Sequence, residues 1–381
     1  MTTCHEGNAM QHTHYRQVLG HTLRDVSRDG HERATHAWVC AEVARLLGVR
    51  TMHAESNERV QKDGREQPST LHIPDETLTI AQARTLGIQD TRDVLGGVVP
   101  YAFLATKVIG HPLITEAAQR VDGWNQALAT ALMPATLPGY TVFSRADATQ
   151  AAAALRTGGG VRLKLPTGVG GNGQWRIDDA AQLDAALDAL PPAYLATHGA
   201  VLERNVVQPH THSVGELCIG GIQIAYYGTQ CSVRDGNGAE VYGGSSLRVY
   251  RGSLEALAAS ALPPLEEQVV AQACMYDRFI TAAYPALQIS RRNYDVVSGQ
   301  DAQAGPVCGV LEQSWRVGGA TPAELAAIAS FQQDPALQWV TASTHELYEG
   351  DAPDDAQIYY RAQRPGPGPG PRIKYRRVST D

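Results

Sequence analysis

Two alternating segments constrain this chain most: Ser290–Ser298 (SRRNYDVVS) and Pro306–Gly319 (PVCGVLEQSWRVGG), separated by the turn-like Gln300–Gly305. Both read as strands, because apolar and polar residues alternate along them. Centring the turn between Gln303 and Ala304 sets Asp295 opposite Glu312, Asn293 opposite Ser314 and Arg291 opposite Arg316. Side chains alternate across a strand, so all six share one face. Like charges directly opposite in a sheet repel, so two facing carboxylates call for a divalent cation and two facing arginines for an anion. A face with metal ligands at one end and an anion site at the other suits a magnesium nucleotide. The competing arrangement pairs Asp295 and Glu312 with the arginines as surface salt bridges, or shifts the register by a residue or two.

A second constellation lies upstream. In Val161–Leu165 (VRLKL) the alternation turns Val161, Leu163 and Leu165 to a core and places Arg162 and Lys164 on an open face. Pro166–Gly173 (PTGVGGNG) follows, and its glycines let backbone N–H groups approach an anion closely. It is not a Walker A loop, which would end Gly-Lys-Ser/Thr where this one ends Gly173-Gln174-Trp175. The Gly168-x-Gly170-x-x-Gly173 spacing matches a dinucleotide fingerprint, but that motif needs a helix to open within the loop. Gln174–Ile177 reads instead as a strand, with a helix only from Asp178 or Asp179, so the loop joins two antiparallel strands.

Charge and composition narrow the class. The net charge is −7, which gives no general attraction for polyphosphate backbones, so bulk nucleic-acid binding is not expected. Six scattered cysteines form no Cys-x-x-Cys pair, which points to neither a disulfide scaffold nor a zinc knuckle and fits a cytoplasmic protein. The most apolar stretch, Gly96–Gly110, is too short to span a bilayer and carries Lys107, and Met1–Arg16 lacks the apolar centre of a secretory signal. Eight of the thirteen histidines precede residue 73. His12 with His14, or His31 with His36, invite a metal reading, but no Cys or carboxylate was identified at a ligand spacing, so they read as solvated or helix-face residues.

The chain divides into four parts: an N-terminal α/β domain over 1–103, its first twenty or so residues flexible, then units over 104–199 and 200–345, and a flexible tail over 346–381. The first holds one clear helix, His31–Leu47. Helical text covers Ile114–Leu132, Arg145–Leu155, Asp179–Leu190, Leu254–Tyr284 and Thr321–Phe331. Strands are expected at Ala200–Val206, His212–Ile219, Ile222–Tyr227 and Gln230–Arg234. Arg364–Arg372 alternates Pro and Gly and cannot pack as an element. The basic Lys374, Arg376 and Arg377 after it read as solvated tail, an anionic partner being the alternative. The class is α/β (α+β).

These residues, in this order from about Gly96 to Phe331, resemble the ATP-grasp superfamily, and closely a bacterial branch known as a domain of unknown function with an ATP-grasp core. Gly309–Gly319 (GVLEQSWRVGG) carries most of the likeness. The resemblance implies a small N-terminal α/β domain and two α+β subdomains that hold ATP between them. Lys107 and Lys164 are similar to the two phosphate lysines, and Gly168, Gly170, Gly171, Asn172 and Gly173 to the mobile phosphate loop. Glu203 resembles the acid that receives the adenine amino group, beside the backbone of Asn205 and Val206. Asp295 and Glu312 look like the magnesium ligands, and Arg316, with Arg291 or Arg292, like the groups that hold phosphate or acyl phosphate. Ser314 stands where the family has Asn, and His210 where it has a ribose acid; Arg234 is a further phosphate-contact candidate.

The implied activity is an ADP-forming carboxylate–amine or carboxylate–thiol ligase working through an acyl phosphate, with ATP and Mg2+ (Mn2+ as a substitute). Its partners are small carboxylates and amines, selected by the N-terminal domain and variable loops, with a homodimer as the common assembly. The alternatives are a kinase-like phosphotransferase to a hydroxyl and a non-catalytic nucleotide-binding regulator.

Overall fold

A computed structural model of the chain describes residues 15–23, 30–54, 69–156, 159–166, 173–362 and 370–380. The chain opens on three parallel strands in the order β2-β1-β3, where β1 is Gln17–His21, β2 Arg50–Ala54 and β3 Thr70–Pro74. Helix α1 (Gly30–Leu47) packs on one face and ends at Gly48, whose φ of 68° suits glycine. Next come β4 (Leu78–Thr79), α2 (Ile80–Leu86) and β5 (Gly97–Val99). Thr79 and Gln82 form a reciprocal capping box that starts α2, and Gly87 at φ 85° closes it.

Between 104 and 132, where the sequence suggested helix from Ile114, the only α-helix among the described residues is α3 (Gln126–Ala131). The four-stranded antiparallel sheet follows, in the order β6-β9-β7-β8: β6 is Gly139–Val142, β7 Val161–Lys164, β8 Gln174–Ile177 and β9 Ala200–Arg204. Helices α4 (Arg145–Arg156) and α5 (Ala180–Asp188, N-capped by Asp179) close a core against it, and α6 (Tyr194–His198) leads into β9. Val161 and Leu163 point into that core and are fully buried, each contributing about 1.5–3 kcal/mol by leaving water.

Three long strands come next: β10 (Val207–Ile219), β11 (Ile222–Arg234) and β12 (Glu240–Arg251). The two strands read between Ile222 and Arg234 are one. Helices α7 (Leu254–Ala258) and α8 (Pro264–Ala283) precede β13 (Gln288–Ile289), which joins β5 and β4 in a small sheet. The hairpin β14 (Arg291–Gln300) and β15 (Pro306–Ser314) is followed by α9 (Thr321–Gln333) and β16 (Trp339–Leu347). All the long strands lie in one eight-stranded antiparallel sheet, β15-β14-β10-β11-β12-β16, completed by β18 (Ile373–Ser379) and the edge strand β17 (Gln357–Arg361). One face packs on α7 and α8, the other on α9 and α1.

Strands β17 and β18 correct the expectation of a flexible tail. The Pro-Gly run at 363–369 lies outside the described residues, but the basic residues after it sit in the sheet with acidic partners. Lys374 pairs with Glu346 at 2.9 Å, Arg376 with Glu42 at 2.7 Å, and Arg377 with Asp355. Glu42 stands 334 positions before Arg376, so nothing near the tail in sequence announces its docking.

Candidate functional site

The β14–β15 ladder pairs Asp295 with Glu312 and Asn293 with Ser314, as expected, although beside the turn the register differs by one residue, with Gln300 opposite Pro306 rather than Val307. Beyond Asp295 it shifts, with Val296 opposite Val310, so Leu311 is the extra residue of a bulge. Asp295 is only partly exposed and enclosed by protein atoms. Its carboxyl is pushed up to about 7, by burial first and by the facing Glu312 second. Asp295 Oδ1 accepts hydrogen bonds from the side-chain amides of Gln230 (2.7 Å) and Asn293 (2.9 Å), which favour the charged form.

Lys107 reaches this pair from the other side. It opens a single 3-10 turn, Lys107–Gly110, is 4% exposed, and sets its Nζ 2.7 Å from Glu312 Oε2. The turn is fastened to β15 by Gln313, whose Nε2 donates to the carbonyls of Leu104 (2.7 Å) and Thr106 (2.8 Å). Tyr276 of α8 donates to Gln313 Oε1 at 2.9 Å, which fixes the amide's orientation. Gly309 allows a second segment, Thr136–Leu137, to approach β15: a Cβ there would lie 2.7 Å from Leu137 N and Thr136 C, well inside contact.

The next residue after the turn, His111, carries the link to the four-stranded sheet. Its Nε2 lies 3.1 Å from the Leu137 carbonyl and 3.8 Å from Glu203 Oε2. Lys164 Nζ forms a close ion pair with Glu203 Oε1, and both side chains are almost wholly buried. The alternation of β7 that sends Val161 and Leu163 inward does place Lys164 opposite them, though that face is covered rather than open. Among the described residues no hydrogen bond reaches Glu203 Oε2, which is buried. So Lys107 and His111, at the two ends of one turn, join the Asp295–Glu312 pair to the Lys164–Glu203 pair.

Asn205 and Val206 form the connection from β9 to β10, the crossing between the two sheets. Asn205 N donates to the Gly160 carbonyl at 2.8 Å, and its Oδ1 accepts from Arg162 at 2.9 Å. Gly173, at φ 68°, closes the glycine-rich loop by accepting from Leu165 N at 2.8 Å; Gly168, Gly170, Gly171 and Asn172 lie outside the described residues.

Other sequence candidates are placed elsewhere. Arg291 does not offer its guanidinium to an anion. Its Nε and Nη2 bond Glu324 of α9 at 2.9 and 2.6 Å, and Nη1 donates to the carbonyls of Ser314 and Arg316, so four of its five N–H groups are used. Arg292, one residue on, points to the opposite face, where Nη1 bonds Asp277 of α8 at 3.0 Å. Arg316 is partly exposed just beyond Ser314, with Nη1 on the Val317 carbonyl at 2.9 Å. His210 is exposed at the start of β10, across from Ser298. Arg234 is exposed at the far end of β11 and donates to the Gly238 carbonyl of its own hairpin at 2.8 Å. His111, Gln230 and Gln313 were missed; only the same-face alternation around Asp295 could have suggested Asn293, and nothing local marks the rest.

A hard divalent cation fits the residues present: two facing carboxylates, one of them pushed up by burial and by the other's charge, with a lysine ammonium offsetting them.

The family model that matches the sequence, over residues 18–376, is described as Protein of unknown function (DUF3182). The chain belongs to that family. No match was found among curated proteins. Solved structures similar to this DUF3182 chain include the ADP complex of purK, an N5-carboxyaminoimidazole ribonucleotide synthetase, at 12% identity and TM-score 0.53, covering 96% of this chain and 93% of that one. The Staphylococcus aureus N5-carboxyaminoimidazole synthetase complexed with ADP gives the same identity, coverage and TM-score. The biotin carboxylase β-γ-ATP complex from Campylobacter jejuni follows at 11% identity and TM-score 0.50, covering 96% of this chain and 88% of that one. At such identities the likeness is one of fold, and the fold is ATP-grasp, as the sequence resemblance implied. Among the described residues no helix is long and apolar enough to cross a membrane.

Proposed function

We propose that this DUF3182 protein is an ADP-forming, ATP- and magnesium-dependent ligase that joins a small carboxylate to an amine or a thiol. The observation that carries the reading is the facing Asp295–Glu312 pair, offset by the buried Lys107, whose turn reaches the Lys164–Glu203 pair through His111. Two buried lysines and two facing carboxylates, on different sheets yet tied by one turn, are what positioning a polyphosphate requires. The likeness of fold to nucleotide-bound synthetases supports it.

In this reading Lys107 and Lys164 orient the phosphates, with the Gly168–Gly173 loop over them. Glu203 Oε2, buried without a donor, accepts the adenine amino group, and the backbone of Asn205 and Val206 lies beside it. Asp295, Glu312 and Ser314 would hold the magnesium, or manganese in its place, which supplies positive charge where charge builds between the transferring and leaving phosphates. An oxygen of the substrate carboxylate attacks the γ phosphorus and ADP leaves. The nucleophile then attacks the acyl carbon and inorganic phosphate leaves. Arg316, at the open end of the hairpin, holds the acyl phosphate; Arg291 and Arg292, committed to Glu324 and Asp277, hold the strands.

The test is ADP release by the purified chain with magnesium and panels of carboxylates and amines or thiols. ADP formation that needs both an acid and a nucleophile supports the proposal. Turnover with a hydroxyl compound alone would make it a phosphotransferase, and nucleotide binding without turnover a regulator.

A further inference from the structure

The N-terminal sheet carries a second cluster of chemistry that the nucleotide site does not use. His36 and Cys40 stand one helical turn apart on α1, a spacing that puts both on one face, and His53 reaches the same place from β2. A donor atom from each of the three lies within 4.8 Å of the others. The spacing corrects the sequence reading, which found no cysteine partner for His36 although Cys40 stands four residues on.

Three observations make this more than core packing. First, the cluster sits toward the carboxyl ends of parallel strands, where Gly20 of β1 pairs with His53 of β2 and Ile73 of β3; ligands of parallel sheets bind at those ends. Second, the strand position facing the cluster is Gly20, where an added Cβ would come within 2.8 Å of both Cys40 Sγ and His53 Nδ1. The missing side chain keeps the space between the donors open. Third, the site is supported from outside. The Ile73 carbonyl lies 3.0 Å from His36 Nε2, the nitrogen that is also 3.8 Å from Cys40 Sγ, and so fixes the ring beside the thiol. The Asp75 carboxylate, fixed by the Leu23 N–H at 2.8 Å, acts electrostatically on both His36 and Cys40. The neighbouring His21–His72 pair, with rings stacked at 5.1 Å and nitrogens 2.8 Å apart, satisfies itself and is not part of the set.

We propose that His36, Cys40 and His53 form a transition-metal site of zinc type. One thiolate and two imidazoles are the donors zinc prefers, and three protein ligands leave a fourth position open. His36 and Cys40 are buried whereas His53 is exposed, so the ion enters from the His53 side and its open position faces solvent. The site is separate from the oxygen donors at Asp295 and Glu312, which suit a harder cation.

The test is cobalt(II) titration of the full-length chain after removal of metal by chelation, under reducing conditions. One equivalent is expected to produce a thiolate-to-cobalt charge-transfer band that one equivalent of zinc abolishes. Cys40→Ser is expected to remove the band, and Gly20→Ala, which fills the space without touching a ligand, to weaken it. His53→Ala, at an exposed position where folding is unaffected, weakens cobalt binding at least ~10-fold. Cys4→Ser leaves band and stoichiometry unchanged, and Glu312→Gln leaves the band unchanged. Absence of the band at one equivalent, its full persistence in Cys40→Ser, or its loss in Cys4→Ser or Glu312→Gln would overturn the proposal.

Discussion

Two ion pairs flank the β14–β15 hairpin, and they differ in how fully each carboxylate is satisfied. Glu324 is wholly enclosed: Arg291 bonds both of its oxygens, and the Tyr226 hydroxyl adds a bond of 2.6 Å to Oε1. Glu312 meets Lys107, keeps 31% of its side chain exposed and faces a second carboxylate that repels it. Glu203, beyond the connecting turn, is buried like Glu324 but has an oxygen without a bond. A saturated pair has no capacity left for a ligand, whereas an unsaturated one keeps acceptor capacity. Arg291 and Arg292, two of the three arginines that the sequence offered, belong to the first kind, and Lys107 and Lys164 meet carboxylates of the second.

The contrast is broken most forcefully at the sealed pair. Glu324→Ala leaves a buried guanidinium unpaired and is expected to cost about 3–5 kcal/mol in denaturant unfolding, while Arg291→Met with Glu324→Leu recovers most of that loss. Glu312→Gln is the converse: stability close to the parent, nucleotide binding retained, and magnesium-dependent turnover lower by at least ~100-fold, about 2.7 kcal/mol of transition-state stabilisation. If the double variant were as unstable as the single one, or Glu312→Gln turned over normally, the two pairs would have to exchange roles.

Saturation can also be probed with neutral groups. His21 and His72 both have pKa values lowered by burial from 6.5 to about 4. A histidine depressed in the folded state contributes stability that is complete above the unfolded value of 6.5 and is lost as pH falls toward 4. The unfolding free energy is therefore expected to fall by about 2 kcal/mol for each of the two between about pH 7 and about pH 5, and by less in a His21→Gln, His72→Gln variant. An equal fall in that variant would assign the acid sensitivity elsewhere. The smallest effect is expected at Gln313→Ala, which frees the Lys107 turn from β15: nucleotide affinity weakens about tenfold, near 1.4 kcal/mol. Unchanged affinity would show that the turn holds Lys107 in place unaided.

What the sequence made legible follows from range. The hairpin that carries Asp295 and Glu312 and the alternation that buries Val161 and Leu163 are local and could be read directly, whereas the facing of the two acids also needs the bulge at Leu311, which the turn does not announce. The partners that decide roles were not local. Arg291 meets Glu324 across 33 positions, and Gln313 meets the Lys107 turn across 209 at Leu104 and 207 at Thr106. The same holds for β18, whose basic residues resemble a solvated tail until Glu42 and Glu346 are brought beside them. The N-terminal parallel strands are five residues each and rich in histidine, too short and too polar to show a buried-strand pattern.

The central claim is that the unsaturated pairs form a magnesium nucleotide site. Calorimetric titration with a non-hydrolysable ATP analogue, with and without magnesium, beside Lys164→Ala, tests it most directly. Binding is expected to strengthen with magnesium and to be lost in the variant. No binding by the parent chain, or equal binding by Lys164→Ala, would contradict it.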